Sequence, residues 1–180
     1  MSNTFRRIEC LMLLAVLGAV AGCNQAMPPQ GEWISFTSDD GRVSAKFPKA
    51  PTKTTQTAPS AIGSLTITMN IVESRTYSFM VSHLTYPVDP SDYDATAGLE
   101  GAVEGAATNV GGKILTQTDI EQSGFAGKEV LIHGKDDIFA KVRMYIDPNG
   151  PTLFQGLAVG SKEMVNGPDA TFFLESMTVK

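Results

Sequence analysis

The chain has 180 residues, 42% of them hydrophobic, with 14 Lys and Arg against 19 Asp and Glu and a formal net charge of −5. That length suits one domain with a sizeable core. An acidic balance without a Lys/Arg cluster lacks the footprint of a nucleic-acid binder, and no polybasic run is present to hold anionic lipid.

The first 23 residues divide into three parts. Arg6 and Arg7 give a positive start, "CLMLLAVLGAV" (Cys10 to Val20) is uncharged and apolar, and "AGC" follows. That order describes a secretory signal. The apolar run is too short for a hydrocarbon core of about 30 Å, which needs ~20 helical residues. An ordinary signal ends in A-x-A. Val20-Ala21-Gly22-Cys23 instead resembles the lipobox of bacterial lipoproteins. The resemblance implies diacylglyceryl transfer to the Cys23 sulfur, cleavage between Gly22 and Cys23, and acylation of the new amine with fatty chains such as palmitate. A thiolate suits that chemistry as a strong nucleophile. The alternative, an ordinary buried cysteine after a normal signal, leaves the order and spacing of the three parts unexplained. Arg6-Arg7 also invites a twin-arginine reading, but Ile8-Glu9-Cys10 fits it poorly, so general secretion is expected. Asn24 follows the cysteine. In diderm sorting Asp there retains a lipoprotein at the inner membrane, so Asn points to the outer one.

Three segments result: a signal peptide (1–22), a lipidated tether (23–31) and a domain (32–180). Loss of residues 1–22 removes Arg6, Arg7 and Glu9 and takes the net charge from −5 to −6. Each buried CH₂ contributes about 0.8 kcal/mol, so the two or three chains implied on Cys23 hold the product permanently on a membrane facing the periplasm or exterior. Cys10 leaves with the signal, so the domain has neither free thiol nor disulfide and relies on its core. The tether "NQAMPPQG" (Asn24 to Gly31) reaches at most about 26 Å.

Strands dominate from Glu32. "EWISFTSDDGRVSAKFP" predicts a hairpin turning at Asp39-Asp40-Gly41. "APTKTTQTAPS" (Ala50 to Ser60) reads as low-complexity sequence. "SLTITMNIV" alternates Leu65, Ile67, Met69 and Ile71 against polar residues. "TYSFMVSHLTY" places Tyr77, Phe79 and Val81 on one face, Met80 and Leu84 on the other. "KILTQTDIE", "KEVLIHG", "IFAKVRMYI" and "TLFQGLAV" are further strands, separated by breaks such as "SGFAG", "GKDD" and "DPNGP". A helix is predicted in "DPSDYDATAGLEGAVEGAATNVGG", with Asp89 and Ser91 as cap candidates and Gly111-Gly112 as its stop. Leu99, Val103, Ala106 and Val110 recur at helical spacing. Ala97, Gly101 and Gly105 form a stripe of small residues, which predicts close packing against the sheet. "GPDATFFLESM" is a short C-terminal helix, with a last strand in "MTVK". The pattern is α+β: an antiparallel meandering sheet packed by one long mid-chain helix and a short C-terminal one.

"FTSDDGRVSAKFPKAPT", "GFAGKEVLIHG" with "KVRMYI", "LFQGLAVG" and "DATFFLESMTV" resemble the PsbP-like domain. That domain occurs in the photosystem II extrinsic subunit and in envelope lipoproteins of the LpqN and DcrB type. The resemblance covers nearly all of Glu32 to Lys180. It implies an antiparallel sheet between helices and a role in docking to or assisting envelope complexes, with no shared catalytic motif.

The residues themselves offer little chemistry. No G-x-S-x-G is present, and zinc sites want more His or Cys than His83 and His133 supply. Either histidine pairs with an acid only if the sheet brings one near; a satisfied structural role is the plainer account. "DPSDYD" (Asp89 to Asp94) resembles a Ca²⁺ loop only superficially, because Ala97 and Val103 stand where glycine and glutamate are required. Asp39-Asp40 and Asp136-Asp137 read as turn residues. Lys141 and Arg143 share a strand face, read as solvated, with an anion or partner contact as the alternative. Trp33 is expected to staple the first strand to the core. "GLEGAVEG" lies within a helix and is no phosphate loop. No metal or cofactor is implied. The expectation is a non-catalytic lipoprotein that binds an envelope partner. The alternatives are a small-ligand or lipid-binding module with a cleft between sheet and helix, and an enzyme of unrecognised type resting on the two histidines alone.

Overall fold

A computed structural model describes residues 26–60 and 63–180. The leader, Gly22 and Cys23 lie outside the described residues. Strands β1 (Ile34–Thr37) and β2 (Val43–Phe47) form the expected hairpin, with Gly41 at φ 72° in its turn. The C-terminal strand β10 (Thr178–Val179) joins β2 to complete a three-stranded sheet.

The larger sheet holds β3 (Thr52–Ser60), β4 (Gly63–Glu73), β5 (Tyr77–Thr85), β6 (Lys113–Gln122), β7 (Phe125–His133), β8 (Phe139–Asp147) and β9 (Thr152–Gly160). Its order is β3-β4-β5-β9-β8-β7-β6, antiparallel throughout. The α+β reading holds, but the single meander becomes two, joined where β5 pairs with β9. Helix α1 (Ala95–Asn109) carries the chain from β5 to the opposite edge, so β6 to β9 are laid down back toward the centre.

Every strand of this sheet's centre is buried on both faces, and the period of two sorts its side chains into two cores. On β8, Ala140, Val142, Met144 and Ile146 pack beneath α1 with Leu99, Ala102 and Val103. Tyr145 points the other way, into a core with Phe47 and Val43 of the small sheet and Ala170, Phe173 and Leu174 of α3 (Pro168–Ser176). Phe79 stacks on Phe173 at 4.7 Å. A short helix α2 (Lys162–Val165), unforeseen in sequence, precedes α3 and is capped by the Ser161 hydroxyl, which accepts from Met164 N–H.

Helix α1 begins later than expected. Asp89 and Ser91 belong to a separate 3-10 turn, Pro90–Asp92, whose cap is Asp89. Asp94 caps α1 itself, accepting the Ala97 N–H at 3.0 Å. The stop at Gly111 (φ 58°) holds: Gly112 N–H reaches Ala107 O and Gly111 N–H reaches Thr108 O, a Schellman end. The small-residue stripe faces the sheet only in part: Gly105 is buried and lines the space between α1 and the sheet, but the other two members do not. Ala97 is exposed, and a Cβ on Gly101 would meet nothing within 4 Å. The glycine held close is Gly98, against the Tyr93 hydroxyl. Helical phase explains this: Leu99, Ala102 and Val103 take the sheet-facing side, and Gly101 falls off it.

Two further expectations fail locally. Ala50 to Ser60, read as low complexity, supplies β3, because β4 offers it a full antiparallel ladder from Thr52↔Ile71 to Ser60↔Gly63. "SGFAG", read as a break, gives Phe125 to Gly127 to β7. A Cβ on Gly127 would lie 2.3 Å from Met144 O and 2.6 Å from Tyr145 Cδ1, so glycine there admits the neighbouring strand.

Candidate functional site

Trp33 staples the first strand to the core as expected: it is 6% exposed, 5.6 Å from Phe79 and 5.4 Å from Phe172. It also does something that its sequence position did not show. Its indole N–H donates to Pro28 O at 3.0 Å, Gln30 Nε2 donates to Asp169 Oδ1 of α3 at 2.9 Å, and Met27 packs on the same core. The tether from Met27 onward is therefore clasped to the body. Only residues 24–26 separate the clasp from Cys23, a reach of about 14 Å rather than the full length of residues 24–31.

His83 lies on β5 facing the small sheet, with Phe154 at 6.5 Å. Its Nε2 is 3.6 Å from Asp40 Oδ2, and its Nδ1 is buried with no hydrogen-bond partner among the described residues. Burial pushes the imidazole below its usual value; Asp40 opposes this, while Arg42 and Lys53 add to it. Burial also works to raise Asp40, yet the Ser38 hydroxyl, the Arg42 N–H and the charges of His83 and Arg42 outweigh it and hold the carboxyl below its usual range. Ser38 donates to Asp40 at 2.5 Å rather than to His83. A relay needs the imidazole between hydroxyl and acid. Here the acid stands between them, which makes Asp40 the organiser of a turn.

His133 is half-buried, and its Nε2 donates to Asp137 Oδ1 at 3.0 Å while the ring stacks on Phe139 at 4.4 Å. Asp136 and Asp137 adopt φ of 55° and 56° in the β7–β8 turn, which Asp tolerates, and Asp39-Asp40 turn the first hairpin. Among the described residues no three His, Cys, Asp or Glu side chains are grouped to hold a metal ion.

Lys141 and Arg143 do not lie on a solvated face. Glu129 of β7 meets Arg143 Nε at 2.5 Å and Lys141 Nζ at 3.4 Å, and Arg143 Nη1 donates to Leu174 O in the last turn of α3. Arg143, held by the Glu129 it shares with Lys141, thus fastens the helix end, whose carbonyls lack intrahelical partners. The signal was present as Glu129 on the adjacent strand, but only the β7–β8 register (Glu129↔Arg143) reveals it.

Between α1 and the sheet lies a cavity of about 50 Å³ lined largely by Ile67, Leu84, Ala106, Val142 and Leu157, with Gln155 and Asn109 as polar groups. That is room for one or two waters, against the ~300–1,000 Å³ of a ligand pocket.

No family model and no curated protein matches the chain. Among solved structures it is similar to the solution structure of cyanobacterial PsbP (CyanoP) from Synechocystis sp. PCC 6803, with a TM-score of 0.57 and 12% identity over 91% of this chain and 99% of that one. A further similar chain is a protein of unknown function, PA94, from Pseudomonas aeruginosa, with a TM-score of 0.40 and 9% identity over 77% of this chain and 90% of that one. The first likeness defines the class of fold: the domain is PsbP-like.

Proposed function

We propose that the protein is a bacterial envelope lipoprotein of the LpqN or DcrB kind, anchored through lipid on Cys23, whose PsbP-like domain is a non-catalytic module that docks a protein partner or assists assembly of an envelope complex. The observation that carries this reading is Val20-Ala21-Gly22-Cys23 at the end of the apolar run of the leader. The short clasped tether supports it, since it keeps the body near its anchor. The engagement of Asp40, Glu129, Lys141 and Arg143 in structural contacts favours docking over catalysis. The small volume under α1 favours docking over a ligand-binding role.

The test is Cys23→Ser in the native host, with fractionation, intact mass and cross-linking in living cells. The wild-type protein is expected to sediment with membranes, carry acyl mass at Cys23 and cross-link to a defined neighbour. Equal sedimentation and unaltered mass chemistry in the variant would overturn the anchoring, and recovery of only the bait would overturn the docking role.

A further inference from the structure

The strand registers place five exposed cations and all exposed large apolar side chains of the described residues at one end of the domain, the end where the tether leaves. In the seven-stranded sheet, Tyr77, Gly160, Phe139, His133 and Lys113 are successive register partners and mark that end. The first turn of α3, with Asp169 holding Gln30, lies there too, because α2 and α3 directly follow Gly160. The large apolar residues exposed among the described ones are Ile34, Ile114, Leu115 and Ile138. Ile34 adjoins Trp33, Ile114 and Leu115 open β6 beside a β-bulge, and Ile138 closes the β7–β8 turn. Lys49, Arg75, Lys113, Lys135 and Lys162 come from five separate loops or element ends and are all exposed at this end, with the exposed acids Glu32, Asp136, Asp137 and Glu163 among them, so the cations here are balanced by acids. The opposite end, reached by Thr85, Thr152 and Asp147, is the net acidic one: it carries Asp39, Asp40, Asp89, Asp92 and Asp94, with Arg42 bound to Asp147, Lys53 paired to Asp39 and Lys180 beside Arg42.

We infer that this end is a membrane-facing surface and that the domain stands on the bilayer with it downward. The inference rests on the proposed lipidation of Cys23. The occupant follows from the chain outside the described residues: only three residues lie between Cys23 and Met27, so the anchor lies within about 14 Å of the clasp. A nine-residue strand spans about 30 Å. The acidic end therefore points away from the anionic headgroups that would repel it. Ile34, Leu115 and Ile138 enter the interfacial layer, and the five cations meet phosphates.

The test uses the full lipidated protein in vesicles of phosphatidylcholine and phosphatidylglycerol containing a headgroup-nitroxide lipid. The mature chain has no thiol free once Cys23 is acylated, so Leu115→Cys, Ile138→Cys and Asp92→Cys each take one fluorophore. Labels at 115 and 138 should be quenched at least threefold more than the label at 92. Equal quenching, with acylation of Cys23 confirmed by mass, would overturn the orientation alone; a label found on Cys23 itself would overturn the anchoring reading and this inference with it. Twenty Gly/Ser residues inserted between Ala26 and Met27 should reduce the contrast below 1.5-fold, and an unchanged contrast would refute the role of the tether.

Discussion

Arg42 of the small sheet holds its Nη2 2.7 Å from Asp147 Oδ2 at the end of β8, and its guanidinium lies 4.9 Å above the Phe154 ring. It also donates to Thr152 Oγ1 at 3.0 Å. One side chain thus ties the hairpin turn to two strands of the large sheet. Arg42→Ala should lower unfolding free energy by about 2 kcal/mol, the scale for hydrogen bonds to charged groups at a half-buried site. Arg42→Lys should restore only part, because a point charge cannot reach both acceptors from one planar fork. Urea denaturation of the three proteins checks this.

His83 makes the stability depend on pH. Its folded-state pKa is lowered, first by burial, from the unfolded 6.5. The unfolded chain therefore binds the proton more readily, so the contribution is fully present above pH 6.5 and is lost as pH falls below it. Asp40, lowered from 3.8, acts in a separate window: its contribution is lost only as pH falls below that value. Denaturation midpoints should fall between pH 7 and 5 in the wild type and fall less in His83→Phe. A parallel decline in both proteins would disprove the assignment.

Two strand glycines should differ sharply. A Cβ at Gly127 meets Met144 O at 2.3 Å, a backbone atom of the paired strand. At Gly156 it meets Met177 Sδ at 2.7 Å, the movable end of a flexible side chain. Gly127→Ala should cost about 2–3 kcal/mol and Gly156→Ala about 1. Thermal melts of the two variants rank them.

Gly101→Ala should stabilise the protein by about 0.5–1 kcal/mol, since the site is helical and open and the glycine only adds unfolded-state entropy. Gly98→Ala should destabilise it, because the new Cβ falls on the Tyr93 hydroxyl. A Gly101→Ala variant weaker than wild type would mean that this helix face touches something in the protein.

Much of the fold, though little of the candidate site, was legible in local pattern. The Asp-Asp-Gly turn, the alternation of β4, β5, β8 and β9, the Gly-Gly stop and the Phe-rich C-terminal helix each reflect a period or a backbone need that neighbouring residues satisfy. β3 was not legible, because its Thr-rich segment has no buried apolar face of its own and takes its structure from the β4 backbone. The cap at Asp94 was missed because Asp89 and Asp94 offer equal side chains, and the Pro90–Asp92 turn decides between them.

By itself the sequence determined the α+β class, the alternation of β4, β5, β8 and β9 and, through Val20 to Cys23, the expectation of a lipid anchor. These depend on residues within a few positions of one another. Only the tertiary structure decided the split into two sheets, the Glu129 clamp on α3, the clasp of Trp33 on Pro28 and the gathering of Lys49, Arg75, Lys113, Lys135 and Lys162 at one end. Those arise where registers bring distant segments together, and a single sequence carries no local signal for which strand lies beside which.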